Sequence, residues 1–367
     1  MLLPRNNHGV YAEGVHYPIF RAEQQAMSKV TVHVGLDYHK GSIQVCIMDA
    51  DGKILANRSC PNRVDQLVAL VTQHGQDVRA GIEACPGSAN LADELATKHG
   101  WVINLAHPGY VARMKQTPDK TDWADARVIA DLVRVNYLPK VWLAPEDVRQ
   151  LRTLTRYRQQ LVDQRRDAKL RVSALLRDAR VIEPGSRRWG KAWVAWLATS
   201  EGLGSEGRWV ADRLIGEVGR LEESIAEVER RLGEVTADDA VVAELLELSG
   251  VGPVTAYTLR AEVGRFDRFA TGKQLARYCG LSPRNASSGR RQADAGLIKA
   301  GNEHLRAVII EAAHRLIRYD RRWKALAATM RQAGKPACVI AAAIGNRWIR
   351  WLFHQVSGGS ITLRRAA

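Results

Sequence analysis

The sequence has few of the features that mark exported or membrane-bound proteins. Its five cysteines are odd in number and widely scattered, and no C-x-x-C pair indicates a zinc or redox motif. It contains no run of about 18 apolar residues, and the first 26 residues hold no apolar core of a secretion signal. These absences predict a cytoplasmic protein of a reducing compartment, without membrane contact.

Acidic residues are too few to balance the basic ones. The chain has 54 Lys and Arg against 39 Asp and Glu, a net charge of +15, which predicts a polyanionic partner such as nucleic acid. Residues 147–188 carry 12 basic and 5 acidic side chains, and residues 315–350 carry 9 and 1. Because these stretches account for the whole excess, two binding faces are expected, with two solvated helix faces as the alternative. The candidate contacts are Arg165, Arg166, Arg321 and Arg322.

Internal repeats and low-complexity tracts are also lacking, so the chain is interpreted as a series of globular units. Its 367 residues are about twice the usual size of one domain. Met27 is an alternative start to Met1, which makes residues 1–27 a disordered leader. We expect an α/β domain at 28–145, a helical arm at 146–239, a mainly α-helical domain at 240–330 and a basic helical tail at 331–367.

The first domain has the pattern of a ribonuclease H-like fold. Apolar residues alternate over 30–36, and strand patterns at 42–48 and 53–58 flank a turn, which predicts an antiparallel meander. A helix at 63–74 capped by Asn62, a strand at 77–84, a helix ending near His99, a strand at 101–106 and a helix at 121–135 follow. The order of these elements is that of the fold.

Four acids occupy positions where this fold holds catalytic metal ions. Asp37 ends the first strand, Glu83 ends the fourth, and Asp122 and Asp125 share one face at the start of the last helix. Enzymes can cut phosphodiesters with two divalent ions that such carboxylates hold in place. Because all of these ligands are oxygen atoms, the site suits Mg²⁺, or Mn²⁺ in its place. Each acid also has a structural interpretation: Asp122 as a helix cap with Asp125 at N3, Asp37 as a turn residue, Glu83 as a solvated strand end. Asp119 is a substitute candidate.

The middle of the chain predicts two long helices. Residues 145–176 are helical and basic, and residues 209–235 are helical and acidic, with a Gly- and Trp-rich break over 183–207. The second helix has an apolar stripe at helical spacing, formed by Leu214, Val218, Leu221, Ile225, Val228 and Leu232. A helical hairpin or coiled-coil arm is expected, and its stripe is a packing or dimerisation seam.

The third domain contains two polar segments of interest. The run LSGVGP at 248–253 is typical of a helix-hairpin-helix module, in which Gly250 and Gly252 would present backbone N–H groups to a phosphate. A plain helix–turn–helix connection is the alternative. A later loop places Ser287 and Ser288 beside Arg290 and Arg291. These are either a nucleophile with phosphate-clamping guanidiniums or ordinary loop residues.

Two motif blocks, taken together, resemble one family. Gly-Leu-Asp37, Gly-Ile-Glu83-Ala and Lys-Thr-Asp122-Trp-Ala-Asp125 form the first block; Gly-Leu-Ser-Pro from residue 280 and Gly-Leu-Ile-Lys-Ala-Gly-Asn from residue 296 frame the second. Over about residues 30–330 the chain is similar to the DEDD transposases of the insertion-sequence one-ten family, relatives of Piv-type DNA invertases. The resemblance implies a RuvC-like domain whose metal ligands are the four acids. It also implies a serine that attacks DNA to form a phosphoserine link, here Ser288, with Ser287 as the fallback.

The resemblance also implies partners. Family members use a structured bridge RNA to choose donor and target DNA, and they act as multimers joined by the arm, which implies a dimer or tetramer with a composite site. Nucleoid association in a bacterium and nucleic-acid contacts at Arg290, Arg291 and Lys299 follow from it. The leader and the doubled serine depart from the family pattern.

Three other functions remain open at this point. One is a RuvC-like junction nuclease, or a site-specific invertase, that works without guide RNA. A second is a non-catalytic nucleic-acid-binding protein. A third, an actin-like kinase, is disfavoured because the sequence lacks Gly-rich phosphate loops after its later strands.

Overall fold

The computed structural model describes residues 32–114, 121–285, 294–298 and 301–357. The chain divides into two compact units, residues 1–144 and 145–367. The expected leader lies outside the described residues. Within the described part, no helix combines the length and apolar character needed to cross a lipid bilayer.

The first unit is built on a mixed six-stranded sheet. Its strands are β1 (Val32–Tyr38), β2 (Ser42–Met48), β3 (Ile54–Pro61), β4 (Val78–Glu83), β5 (Val102–Ala106) and β6 (Lys140–Val141), in the spatial order β3-β2-β1-β4-β5-β6. The first three strands form the predicted antiparallel meander. β4 runs parallel to β1, and β5 runs parallel to β4. This topology is consistent with the ribonuclease H-like fold.

Helices cover both faces of this sheet. They are α1 (Val64–Thr72), α2 (Ser88–His99), α3 (Pro108–Met114) and α4 (Asp122–Arg134). Val34 and Leu36 of β1 share a core with α1 and α2, and the alternate residues of the strand therefore face the opposite side, where α4 packs. The alternation of buried residues thus decides which side chains of β1 meet α4.

Some local predictions for this unit need correction. Asn62 does not cap α1: the N-cap is Arg63, without a side-chain cap bond, and the Asn62 amide donates instead to the carbonyls of His39 and Lys40. The short elements α3 and β6 were not predicted. β6 has only two residues, and its pairing with β5 defines it.

The second unit begins with an antiparallel helical hairpin. Its helices are α5 (Glu146–Asp178) and α7 (Gly204–Val235), and the short α6 (Lys191–Thr199) lies between them in sequence. Arg158 pairs with Glu229, whereas Lys169, further along α5, pairs with the earlier Glu222. The two helices therefore run in opposite directions. The predicted apolar stripe of α7 is buried against α5 within the same chain.

The remainder of the second unit is mainly helical. It contains α8 (Ala240–Leu246), α9 (Pro253–Val263), α10 (Gly272–Tyr278), α11 (Glu303–Tyr319), α12 (Arg321–Gln332) and α13 (Ala337–Ser357). Strands β7 (Pro283–Asn285) and β8 (Asp294–Leu297) form a small antiparallel hairpin between α10 and α11. One apolar core joins these helices, with Leu305 and Trp348 among its fully buried members.

Candidate active site

Two glycines allow α4 to approach the sheet closely. Gly35 of β1 and Gly81 of β4 are direct partners in the parallel register. A Cβ atom on Gly35 would lie 2.0 Å from the carbonyl oxygen of Ala126, and one on Gly81 would lie 2.7 Å from Val133 Cγ2. Since side chains alternate along a strand, Asp37 and Glu83, each two residues further on, share the face of these glycines.

The start of α4 meets Asp37 at this end of the sheet. The carboxylate oxygens of Asp37 and Asp122 each lie 3.3 Å from Nε2 of His39. One ligand atom from each of these three residues lies within 4.8 Å of the other two. The structure thus brings together two of the four predicted acids, and it adds a histidine that the sequence interpretation missed. His39 follows Asp37 by two positions, and this spacing was the available signal.

The other two acids flank this cluster. Asp125 is buried and acts electrostatically on Asp37. Glu83 ends β4, and both Glu83 and Asp37 act electrostatically on the thiol of Cys85. The alternative role of Asp122 as a helix cap is wrong, because Thr121 is the N-cap and its hydroxyl accepts the Ala124 N–H.

The carboxylates of this cluster repel one another. Burial has the largest effect on the pKa of Asp37 and raises it; His39 lowers it, Asp122 and Asp125 raise it, and the net shift is upward. A divalent cation would reverse this balance by stabilising the ionised form. Two carboxylates and an imidazole whose ligand atoms lie within 4.8 Å of one another form a donor set that could hold such a cation.

The serine candidates lie outside the described residues. This applies to Ser287, Ser288, Arg290, Arg291 and Lys299. β7 and β8 are the described ends of the loop that contains the two serines and the two arginines, and Lys299 follows β8. Backbone contact holds the base of the hairpin, because a Cβ on Gly301 would lie 2.3 Å from the Cα of Gly280.

The glycines of the LSGVGP run lie in the turn between α8 and α9. Gly250 has a φ of +85°, and a Cβ there would lie 2.6 Å from Leu316 Cδ2, so packing alone accounts for this glycine. Gly252 is the N-cap of α9, followed by Pro253 at the start of the helix. Phosphate binding at Gly250 and Gly252 stays a prediction.

The first basic stretch faces a groove of about 1090 Å³ in the second unit. Arg165 and Arg166 of α5 line it, together with Arg306 and Arg315 of α11. Many cations on α5 have carboxylate partners: Arg166 lies 2.8 Å from Asp163, and Arg165 lies 3.9 Å from an oxygen of Glu222 on α7. Much of this positive charge is therefore matched within the chain.

The second basic stretch is different. Arg321 and Arg322 are exposed on α12, and the Arg322 guanidinium stacks 4.8 Å from the Trp323 ring centre. Within the described residues, no carboxylate lies within 4.0 Å of the basic nitrogens of the Lys and Arg side chains over 315–350. We call these nine side chains the C-terminal basic surface. Its charge is unmatched.

Comparison with known proteins gives a consistent result. A DEDD transposase model of the IS110 group matches residues 34–180, and a model described as transposase IS116/IS110/IS902 family matches residues 242–328. The transposase for insertion sequence element IS1111A of Coxiella burnetii is 26% identical over 95% of this chain and 96% of its own length. A probable family 20 transposase of Pseudomonas aeruginosa is 29% identical over 75% and 83%. The transposase for element IS1328 of Yersinia enterocolitica is 27% identical over 78% and 84%.

Proposed function

The chain belongs to the IS110 family of DEDD transposases, and from that premise we propose that it cuts and rejoins DNA with Asp37, Glu83, Asp122 and Asp125 as metal ligands. The observation that carries the proposal is the proximity of Asp37, Asp122 and His39, each of which places one ligand atom within 4.8 Å of the other two. The acids come from different elements, as the fold requires, and no packing or capping role accounts for the exposed Asp122.

Mg²⁺ or Mn²⁺ is the proposed cofactor. When bound, such ions polarise the phosphate and stabilise charge on the attacking and leaving oxygens. Asp37 would hold the ion from the sheet, and Asp122 and Asp125 would hold it from the first turns of α4. His39, within 3.3 Å of two of these acids, either supplies a further ligand or orients the carboxylates, and both roles make metal binding depend on it.

Ser288 is the proposed nucleophile. Its oxygen would form a bond to phosphorus, the bond from phosphorus to one deoxyribose oxygen would break, and that oxygen would leave as a hydroxyl with the proton from the serine. Rejoining reverses the exchange with a different strand end. Arg290, Arg291 and Lys299 would hold the phosphate, and Ser287 is the fallback nucleophile.

Donor DNA, target DNA and a bridge RNA are the proposed partners. The C-terminal basic surface supports this proposal best, because its cations are not matched by acids and remain available to phosphates. The groove beside Arg165 and Arg166 is a second contact region, and the N–H groups at Gly250 and Gly252 are a third. A dimer or tetramer, joined by the α5–α7 hairpin, would bring acids of one subunit to the serine of another.

One experiment tests the chemistry. The full chain is incubated with Mg²⁺, supercoiled DNA carrying the junction of the element ends, and the RNA that co-purifies with it; the mixture is then denatured. A protein–DNA adduct is expected that Asp37→Asn and Ser288→Ala abolish. Ser287→Ala and Asp51→Asn, which replaces an exposed acid of the β2–β3 turn, serve as matched controls and should retain it. Cleavage without an adduct would instead support the metal-dependent nuclease.

Sequencing the co-purified RNA tests the guide. A single structured transcript encoded beside the gene is expected. Recovery of random fragments only would contradict RNA guidance and would favour an invertase-like enzyme that recognises DNA directly.

A further inference from the structure

A buried carboxylate lies at the centre of the second unit. Glu262, near the end of α9, is 1% exposed and receives hydrogen bonds from two directions. Arg156 of α5 donates from Nε and Nη2 at 2.7 and 3.0 Å, and the side-chain amide of Asn302 donates at 2.7 Å. Arg152 adds a cation at 3.9 Å. Burying a charge this deeply is unfavourable without such partners.

Two hydrogen-bond partners of Glu262 flank the β7–β8 hairpin, one on each side. Tyr278 comes five residues before β7, and its hydroxyl donates to the backbone carbonyl of Glu262 at 3.2 Å. Asn302 comes five residues after β8, and its side chain donates to the Glu262 carboxylate. The Asn302 backbone N–H also donates to the Tyr278 carbonyl at 2.7 Å. The three residues therefore close a ring of hydrogen bonds around the two ends of the hairpin.

Asn302 also caps a helix, and this role is distinct from its contact with Glu262. It is the N-cap of α11, and its Oδ1 accepts the Leu305 N–H at 3.0 Å. The oxygen of the Asn302 side-chain amide therefore caps the helix, and the nitrogen of the same amide donates to the Glu262 carboxylate. Of these two contacts, only the hydrogen bond from the amide nitrogen to Glu262 connects the hairpin to α5 through Arg156.

We propose that Glu262 is a positioning residue that fixes both ends of the β7–β8 hairpin, through its carbonyl at Tyr278 and its carboxylate at Asn302. The segment between β7 and β8 contains Ser288, so the role of Glu262 in strand transfer rests on the proposed function. Reaction rates depend steeply on the placement of the reacting atoms, and an error of about 1 Å costs on the order of 100-fold.

Asn302→Asp separates this contact from helix capping. Asp caps helices about as well as Asn, so α11 keeps its cap, but a carboxylate then faces the Glu262 carboxylate in place of the amide donor. Asp320→Asn is the matched control: it makes the reverse exchange at the N-cap of α12, where Asp320 accepts from the Arg322 and Trp323 N–H groups. Glu262→Gln tests the contact from the other side.

The first measurement is backbone hydrogen exchange in the full chain without DNA. The Ile298 N–H, which donates to the Ser282 carbonyl at the hairpin base, should exchange at least about 10-fold faster in Asn302→Asp and remain unchanged in Asp320→Asn. Amides in α13 should not change in either variant. Unchanged exchange at Ile298 would overturn the proposal.

The second measurement is the rate of adduct formation at saturating DNA. Asn302→Asp should lower it by about 10- to 100-fold while DNA affinity stays within about 2-fold. The double variant Glu262→Gln with Asn302→Asp restores a donor facing a carboxylate, and it should recover part of the rate. Faster exchange with an unchanged rate would overturn the positioning role. If the wild-type chain forms no adduct, the serine chemistry fails, and the exchange result alone decides whether Glu262 holds the hairpin.

Discussion

Gly35 of β1 and Gly81 of β4 face each other across the parallel strand pair, and α4 lies against both. A Cβ at Gly35 would come within 2.4 Å of the Ala130 nitrogen as well as 2.0 Å of the Ala126 carbonyl. The close approach of α4 to these glycines is what brings its acidic first turns to Asp37. The proposed metal centre therefore depends on two residues that have no functional groups.

Gly35→Ala should separate α4 from the sheet. We expect a loss of unfolding free energy on the order of 2 kcal/mol, because backbone atoms of a helix cannot shift aside as a flexible side chain can. Urea denaturation would measure it. In the control Gly41→Ala, the new methyl group has no heavy atom within 4 Å, and the change should stay within about 0.5 kcal/mol. Equal losses in the two variants would contradict this account of the packing.

His39→Ala should weaken metal binding. Since Nε2 of His39 lies 3.3 Å from both Asp37 and Asp122, its removal takes away a ligand or the group that orients two of them. Mn²⁺ affinity, measured by titration calorimetry, should fall by about 10-fold or more. His99→Ala, at the exposed end of α2, is the control. If affinity is unchanged in His39→Ala, the histidine has no part in the metal centre.

The two basic stretches should differ in DNA binding. Replacing both Arg321 and Arg322 by Gln removes unmatched charge, and the slope of log affinity against log salt should become shallower by about 2. Replacing both Arg165 and Arg166 by Gln should change the slope less, because these cations already form ion pairs with acids of α5 and α7. Fluorescence anisotropy with duplex DNA over a range of salt concentrations measures both. A larger change for the α5 pair would show that its ion pairs open on binding.

Acid should destabilise the second unit through Glu262. Burial by itself raises the Glu262 pKa, but the hydrogen bonds and charges of Arg156, Asn302 and Arg152 outweigh burial, and the pKa lies below its ordinary 4.5. The Glu262 carboxylate therefore becomes protonated at a higher pH in the unfolded chain than in the native chain. The contribution of Glu262 to stability is complete above about pH 4.5 and is lost as the pH falls through the native pKa.

Unfolding by urea between pH 7 and pH 3 measures this contribution. Glu262→Gln should make the loss of stability in acid shallower, and at pH 7 it should lower the unfolding free energy by about 3 kcal/mol. Glu227→Gln, the same change at an exposed position of α7, should follow the wild-type curve. If Glu262→Gln keeps the wild-type slope in acid, other carboxylates govern the acid transition.

The sequence alone determined much of the first unit. The alternation of apolar residues in β1 and β2, and the helical spacing in α1, α2 and α4, fix which face of each element is buried. Asp37 and Glu83 each lie two residues after a glycine, at the end of an apolar run. Their positions at the ends of strands could therefore be predicted from the sequence. The antiparallel meander was predictable too, since the turn after β2 contains Asp and Gly.

Only the tertiary structure decided the rest. It brought His39 and its sequence neighbour Asp37 together with Asp122, which is distant from both in sequence. It matched many cations of α5 with neighbouring carboxylates and left the C-terminal basic surface unmatched, although both stretches have nearly the same net charge in the sequence. It also buried Glu262 among Arg156, Asn302 and Tyr278. The physical reason is the same each time: a local pattern fixes which face of an element is apolar, whereas pairing of charges depends on which distant elements pack together.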